Sequence, residues 1–315
     1  MAFDFSTVSA PFRMQPGLRR LVQGASQLTP NHLDDRALVE KLAVLAEHAN
    51  QALLCESGFD SVPALCALSA HAATAHPDAL AWDGVSVWHA RHLGWGLHGV
   101  EPRGDGPVEI GACLRALPHA WRPAALLALA FAEDFAVIDG ATGRIPWLAV
   151  CLPSHWAPED KVGRHFAQVH APVADNQTLI TASDHLARLV TGQDRWERFV
   201  WTITRDPHLS QHPKRIDAAP WPALAEAPAG ALAANAFFRT ERQTFIPMPE
   251  RRQAIFTIHV ESRPLASAIS TPAQARQLRD ALASMSAPVL AYRGLTDARE
   301  RLLSWLSQRA GGPSA

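Results

Sequence analysis

Apolar residues recur along the first third of the chain with the spacing of helices. Between Asp34 and Leu54, Leu38, Leu42, Leu45 and Ala49 share one helical face, and the run Val62 to Ala75 behaves alike. Pro123 opens RPAALLALAFAEDF, apolar nearly all round, which predicts a buried helix with proline in its tolerated first turn. The period then shortens. FAVID, the turn residues GATG and RIPWLAVCLP read as a hairpin that delivers Cys151 at a strand end. DNQTLITASDHLARLV predicts a helix capped at Asp175, with Leu179, Ile180, Leu186 and Val190 on one side. In RFVWTIT the residues Phe199, Trp201 and Ile203 alternate as in a half-buried strand. FFRTERQTFIP and QAIFTIHVES follow as an antiparallel pair, with Ala254, Phe256, Ile258 and Val260 on one face. Helices over 271–285 and 295–308 close the pattern.

These elements predict an α+β fold: one domain over 1–310, with a helical N-terminal region (30–133), a mainly antiparallel sheet core (134–265) and C-terminal helices (271–308). The tail 311–315 is expected to fray. Pro220, Pro222 and Pro228 exclude a continuous helix or inner strand between Pro213 and Ala234; the stretch could be an interdomain linker, but strands of one sheet on both sides favour a long loop wrapping the domain over a pocket.

Nearly half of the residues are apolar, enough for a sizeable core without staples, and the net charge of −1 supplies no long-range field for nucleic acid. Asp4, Pro11 and Arg13 interrupt any signal-peptide core, and no stretch approaches the roughly 20 apolar residues of a membrane span. A cytoplasmic protein without a membrane or nucleic-acid partner is the expectation. Cys55, Cys66, Cys113 and Cys151 form no CxxC pair, so zinc-ribbon, iron–sulfur and thioredoxin-type chemistry lack their spacing.

Few motifs carry chemistry. Gly94, Gly96 and Gly99 spell GxGxxG, but VEPRGDGP follows where a dinucleotide site needs a helix. Walker A, HExxH and GxSxG patterns are absent from the sequence. Histidine stands out with 15 residues, six of them in WHARHLGWGLH and SHWAPEDKVGRHFAQVH. His89 and His92 could share a metal on a helix, although the glycines around them favour a loop. In the second run His155 follows a strand end, His165 falls in a predicted helix PEDKVGRHF, and His170 ends a short helix just before Pro172. An axial imidazole needs its second nitrogen held by a hydrogen bond, and helix-end carbonyls beside His170 offer one. A capping or core histidine satisfies the same pattern.

Two segments resemble a known family, the α-subunit-like proteins of haem-dependent oxidative N-demethylase. They are VCLPSHWAPEDKVGRHFAQVHAPV, with Cys151, Pro153, Ser154, Trp156, Lys161, Gly163 and His170, and FFRTERQTFIPMPERRQAIFTIHV, with Arg239, Glu241 and Arg242. The resemblance spans about residues 123–265. It departs where a Pro-Gly turn is expected and Ala174-Asp175 stands instead. It implies a PAS-like antiparallel sheet with flanking helices, haem b held by a histidine, and O2-dependent demethylation of a small secondary alkylamine. A separate flavin or iron–sulfur reductase would bring the electrons. His170 is then the expected iron ligand, with His155 and His165 as alternatives. Arg242 and Arg239 are expected propionate partners; three apart on a strand, they point to opposite faces, and Arg242 is favoured. Trp156 could wall the pocket, Lys161 reads as a solvated helix face, and Cys151 as a buried thiol. The other readings are a haem- or ligand-binding sensory module and a divergent member that has lost haem.

Overall fold

The computed structural model describes residues 3–216, 220–223 and 228–311. Most of the tail expected to fray, and parts of the Pro-rich loop, lie outside them. Among the described residues the strands form two sheets, antiparallel throughout. The larger is built from β1 (Arg19–Arg20), β2 (Leu53–Cys55), β7 (Asp134–Asp139), β8 (Arg144–Ala149), β9 (Trp196–Thr204), β10 (Phe237–Met248) and β11 (Gln253–Pro264), in the order β1-β9-β10-β11-β7-β8-β2. The predicted hairpins are both present. β10 and β11 pair over their whole length, from Phe237 opposite Pro264 to Met248 opposite Gln253. Asp139 makes the β7–β8 turn tight by accepting hydrogen bonds from the backbone of Ala141 and Thr142.

The smaller sheet corrects the expectation of a helical N-terminal third. Helices do form at Arg36–Glu47, Val62–Ala75, Val108–Ala116 and Arg122–Ala130, but β3 (Leu80–Trp82), β4 (Val87–Ala90), β5 (Trp95–His98) and β6 (Glu101–Gly104) lie between them. Strands of three or four residues are too short to show a period. The glycines of the GxGxxG pattern serve this sheet: a Cβ on Gly96 would stand 2.2 Å from the Trp88 carbonyl oxygen of the neighbouring strand. His89 lies exposed on β4, while His92 stacks on His32 with ring centroids 4.3 Å apart. Among the described residues no three metal-binding side chains gather there or elsewhere.

Both faces of the large sheet are covered. One main core joins the N-terminal helices to β7, β8 and β11 through Leu45, Leu68, Leu126, Phe131, Phe135 and Trp147. A second packs Trp201, Ile203 and Phe238 on the C-terminal helices Pro272–Ala283 and Arg299–Arg309. Lys41 is fully buried among the N-terminal helices, where its Nζ meets Asp134 Oδ1 at 3.2 Å and donates to the Phe131 and Glu133 carbonyls. A buried ammonium is tolerable only with such a set of acceptors. No helix among the described residues is long and apolar enough to cross a membrane.

Candidate functional site

Alternation along the central strands opens one sheet face onto a cavity. Arg198, Val200, Thr202 and Thr204 of β9, Arg239, Glu241, Gln243 and Phe245 of β10, and Phe256 and Ile258 of β11 line it. The register agrees, since Gln243 pairs with Arg198, Glu241 with Val200, and Phe245 with Phe256. The opposite wall is the segment after β8, including the helices Phe166–His170 and Ser183–Val190, which contributes Trp156, Phe166, Val169, His170 and Leu186. The space measures about 1130 Å³. Phe245 and Phe256 stack at 4.9 Å and give it an apolar floor.

His170 projects into this space from the last turn of its helix. Its Nδ1 lies 2.9 Å from the Phe166 carbonyl oxygen, four residues back, which makes Nδ1 the protonated nitrogen and leaves Nε2 with a lone pair. Phe166 packs on the ring at 4.1 Å. Burial, reinforced by the charges of Arg198 and Lys161, pushes the His170 pKa down to about 4 against the opposing pull of the Phe166 carbonyl. The imidazole is therefore neutral near pH 7, the form that ligates metals.

The other histidines of this run are placed differently. His165 lies outside the cavity and caps the helix that bears His170: its Nδ1 accepts from the Ala167 N–H, and Gln168 Oε1 accepts from the His165 N–H. Its Nε2 reaches Asp184 at 3.1 Å, and Gly143 makes room, because a Cβ there would sit 2.4 Å from that nitrogen. His155 is exposed at the cavity rim, with a left-handed backbone (φ 59°) held by the hydrogen bond from its N–H to the Gln211 carbonyl. PEDKVGRHF is not the predicted helix; it is a 3₁₀ turn over Pro158–Asp160 and a loop. Lys161 is accordingly not a solvated helix charge. It lines the cavity and donates to the Val169 carbonyl at 3.0 Å, steadying the turn before His170.

The two arginines of β10 do face opposite ways, but the cavity receives Arg239 and not Arg242. Arg242 donates to Glu197 Oε2 at 3.0 Å and to the Ser26 carbonyl at 2.7 Å, on the far side of the sheet. Arg239 is buried and spends its guanidinium on Ser154 Oγ and on the carbonyls of His208 and Leu209, with longer contacts to Leu152 and Pro153. It holds loops together at the cavity wall. Trp156 lines the cavity as expected of a wall residue, and Cys151 is fully buried in the main core, its thiol pushed up by burial and by Asp134.

Three further arginines supply what those two do not. Arg198, whose charge is felt at His170, has a buried Nε with no hydrogen-bond partner. Arg293 lies over the rings of Phe12 and Trp201 and donates to the Trp201 carbonyl, yet its Nε is equally orphaned. Arg215 has all three guanidinium nitrogens shielded and unpartnered. Buried donors without acceptors are rare, and here they border a cavity. Arg198 begins the RFVWTIT run, where attention to the apolar face 199, 201 and 203 hides the opposite one. Arg215 and Arg293 sit in segments without periodicity, so pattern offered no signal for them. Glu241 completes the cluster, accepting from Ser154 Oγ and from Gln243 Nε2 at 2.6 Å.

A deep apolar cavity, a neutral imidazole with a free nitrogen and unsatisfied guanidinium donors are the parts of a prosthetic-group site. The family model described as haem-dependent oxidative N-demethylase, alpha subunit-like, matches residues 86–303, well over half of the sequence, and the chain belongs to that family.

Proposed function

We propose that the cavity holds haem b with His170 as the residue that would ligate its iron, and that the chain is the oxygenase subunit for oxidative N-demethylation of a small alkylamine. The observation that carries this reading is the state of His170: a neutral ring lining the cavity, with Nδ1 committed to a helix carbonyl and Nε2 left with its lone pair. The residues present fit the group. Pockets for single small ligands occupy roughly 300–1,000 Å³; the space here, about 1130 Å³, leaves room for a macrocycle with a small amine beside it. The orphaned Nε groups of Arg198 and Arg293 match propionate carboxylates, which take charge-assisted hydrogen bonds. Arg242 is given no such role, being engaged with Glu197 across the sheet and absent from the cavity lining. The larger sheet, with helices against its cavity face, is read as PAS-like.

When bound, haem supplies the dioxygen activation by which a methyl carbon is oxidised; overall, amine, O2, two electrons and two protons give the shortened amine, formaldehyde and water. The protein does the rest. Phe166 fixes the His170 tautomer, Lys161 holds the turn that carries it, and Val169, Leu186, Phe245 and Phe256 keep water from the reacting end. The carboxylates of Glu241 and Asp206 are within the same cavity as acceptors for an ammonium group. No dinucleotide loop or cysteine cluster is legible in the sequence, so the electrons come from a partner, as an alpha-subunit-like family name implies.

The test is haem reconstitution of His170→Ala beside His155→Ala and the wild type. The expected result is loss of the Soret band in the first alone, with an unchanged circular dichroism spectrum. An unaltered haem spectrum in His170→Ala would overturn the assignment, and haem uptake without demethylation in the presence of a flavin reductase would favour the sensory reading.

A further inference from the structure

One end of the larger sheet is closed by a small core in which Ile138, Ala187, Val190, Phe245 and Ala254 pack together, with Trp196 and Phe256 against them. Most of these side chains also line the cavity, so its apolar end is walled by this core. The helix Ser183–Val190 sets the depth of the wall. Ala187 lines the cavity while its neighbour Arg188 is exposed, and a helix with its side chains measures about 10–12 Å across. Through Asp184, which meets His165 Nε2 at 3.1 Å, the same helix is tied to the cap of the helix that bears His170. An aromatic row crosses the same end: half-buried Trp196, with the Arg20 guanidinium 5.9 Å from its ring centroid, stands opposite Phe245 in register, and Phe245 stacks on Phe256 at 4.9 Å.

Arginines mark the surface at this end. Arg188 lies in the last turn of the helix, Arg195 precedes β9, and Arg251 and Arg252 form the β10–β11 turn; all four are exposed, and none is paired with a carboxylate among the described residues. Backbone contacts bring their carriers together. The Gly140 N–H donates to the Arg252 carbonyl at 2.8 Å, and a Cβ on Gly140 would stand 2.9 Å from that oxygen and 2.1 Å from Oγ1 of Thr191, the residue that follows the helix. Arg195 adjoins Trp196, the register partner of Phe245 near the same end of β10. Carboxylates nearby are already engaged: Asp194 with Arg20 at 2.9 Å, Asp184 with His165, and Asp139 with its own turn and Gln253. Only Glu250, on the arginine turn itself, is left without such a partner among the described residues. Arg252 moreover holds a left-handed backbone, φ 53°, so the chain keeps a positive charge where glycine or asparagine would sit more easily.

We propose that Arg188, Arg195, Arg251 and Arg252 form the docking surface for an electron-carrying protein that presents carboxylates around its redox centre. The inference rests on the haem reading for the destination of the electrons: each encounter would pass one electron from the carrier's centre, which is oxidised, to the prosthetic group, which is reduced. Guanidinium groups take carboxylates in charge-assisted, bidentate bonds, so an acidic protein face is the complement of this patch. The patch lies over the apolar end of the cavity, on the helix tied to that of His170. A nucleic acid is the poorer complement, because the net charge of −1 over the whole chain opposes a long polyanion, and the matching family is described as alpha subunit-like, which calls for a protein partner.

The experiment measures binding of an acidic plant-type ferredoxin to the haem-free chain by calorimetry, at low and at raised salt. The proteins are the wild type, the double variant Arg188→Glu/Arg251→Glu, Arg252→Gly and, as a control on the exposed strand β6 of the small sheet, Arg103→Glu. Arg252→Gly removes one charge while suiting the left-handed turn, so it keeps the test open if the double variant fails to fold. The wild type should bind, with affinity falling as salt rises. The double variant should bind roughly tenfold more weakly at low salt and Arg252→Gly about threefold, while Arg103→Glu matches the wild type. No binding by the wild type, equal affinity in all the proteins, or tighter binding of a short DNA duplex than of ferredoxin overturns the surface. On haem-loaded protein, the rate at which reduced ferredoxin shifts the Soret band should fall in the same order, with the oxidised Soret band unchanged; a rate indifferent to the arginines overturns the docking role even where binding persists. The two readings fail separately, because arginine-dependent binding to the haem-free chain upholds the surface whether or not haem is taken up, and absence of a Soret band counts against the haem reading alone.

Discussion

Histidine shows how surroundings assign different work to one side chain. His170 is kept neutral by burial and aimed by a single carbonyl; His165 is used up by a helix start and Asp184; His212 is fully buried against Glu159. On the far side of the sheet His259 has the opposite fate. Burial opposes its charge, but the hydrogen bonds with Glu133, at 2.8 Å, and with Glu261 outweigh it and raise its pKa to about 9. A folded-state value above the ordinary 6.5 means that the pairing stabilises fully below about pH 6.5 and fades as pH rises through about 9. The contribution at the acid end is on the order of 2 kcal/mol after allowance for partial exposure. Thermal unfolding between pH 6 and 9.5 should show the wild type losing several degrees more than His259→Gln, and parallel curves for the two proteins would reject the pairing as a source of stability.

At the scale of elements, the helix Phe166–His170 is too short to hold itself, because five residues cannot repay nucleation. Its capping box, the His165–Asp184 contact and the Lys161–Val169 bond hold it from outside. Losing a cap costs about 1 kcal/mol. If that cost falls on the position of His170, His165→Ala should weaken haem affinity about fivefold, where His170→Ala removes it; the rate and extent of haem transfer to a competing apoprotein measure both. Unchanged transfer would show that the cap steadies the loop without positioning the ligand. Of the larger sheet, β9, β10 and β11 were legible because they run for 9 and 12 residues, with apolar alternation at Phe199, Trp201 and Ile203 in β9 and at Ala254, Phe256, Ile258 and Val260 in β11. The three-residue spacing of Arg239 and Arg242 placed them on opposite faces but could not say which face held the cavity, since both are covered and both carry apolar residues. β3 to β6 were hidden by their shortness, and the glycines that let them approach look like loop residues in one dimension. Arg293 and Arg215 come to the cavity only through tertiary packing. The fold core and the place of His170 at the end of a short helix could be read along the chain, and the guanidinium set could not.

Over the whole molecule, the haem site proposed here would sit between a sheet face and short helices. The family belongs by name to the alpha subunits of a larger enzyme. Residues 94–99, the GxGxxG stretch, form strand and turn in the small sheet, with Gly99 at φ 62°, and no phosphate-binding helix follows them. The four cysteines are separate thiols, two of them buried, so an iron–sulfur relay has no ligand set among the described residues. On the proposed function two electrons per turnover would cross a protein surface, and a net charge of −1 gives docking no long-range steering, which leaves it to local patches such as Arg251 and Arg252 at the β10–β11 turn. Haem-loaded protein mixed with NADPH, O2 and dimethylamine should release no formaldehyde. Adding a flavin reductase should start release, and raising the salt concentration should slow it if the arginine patch guides docking. Sustained NADPH-dependent formaldehyde release by the chain alone would refute the partner requirement, because it demands a hydride-accepting cofactor site that neither the short strands around Gly96 nor the cavity beneath His170 supplies.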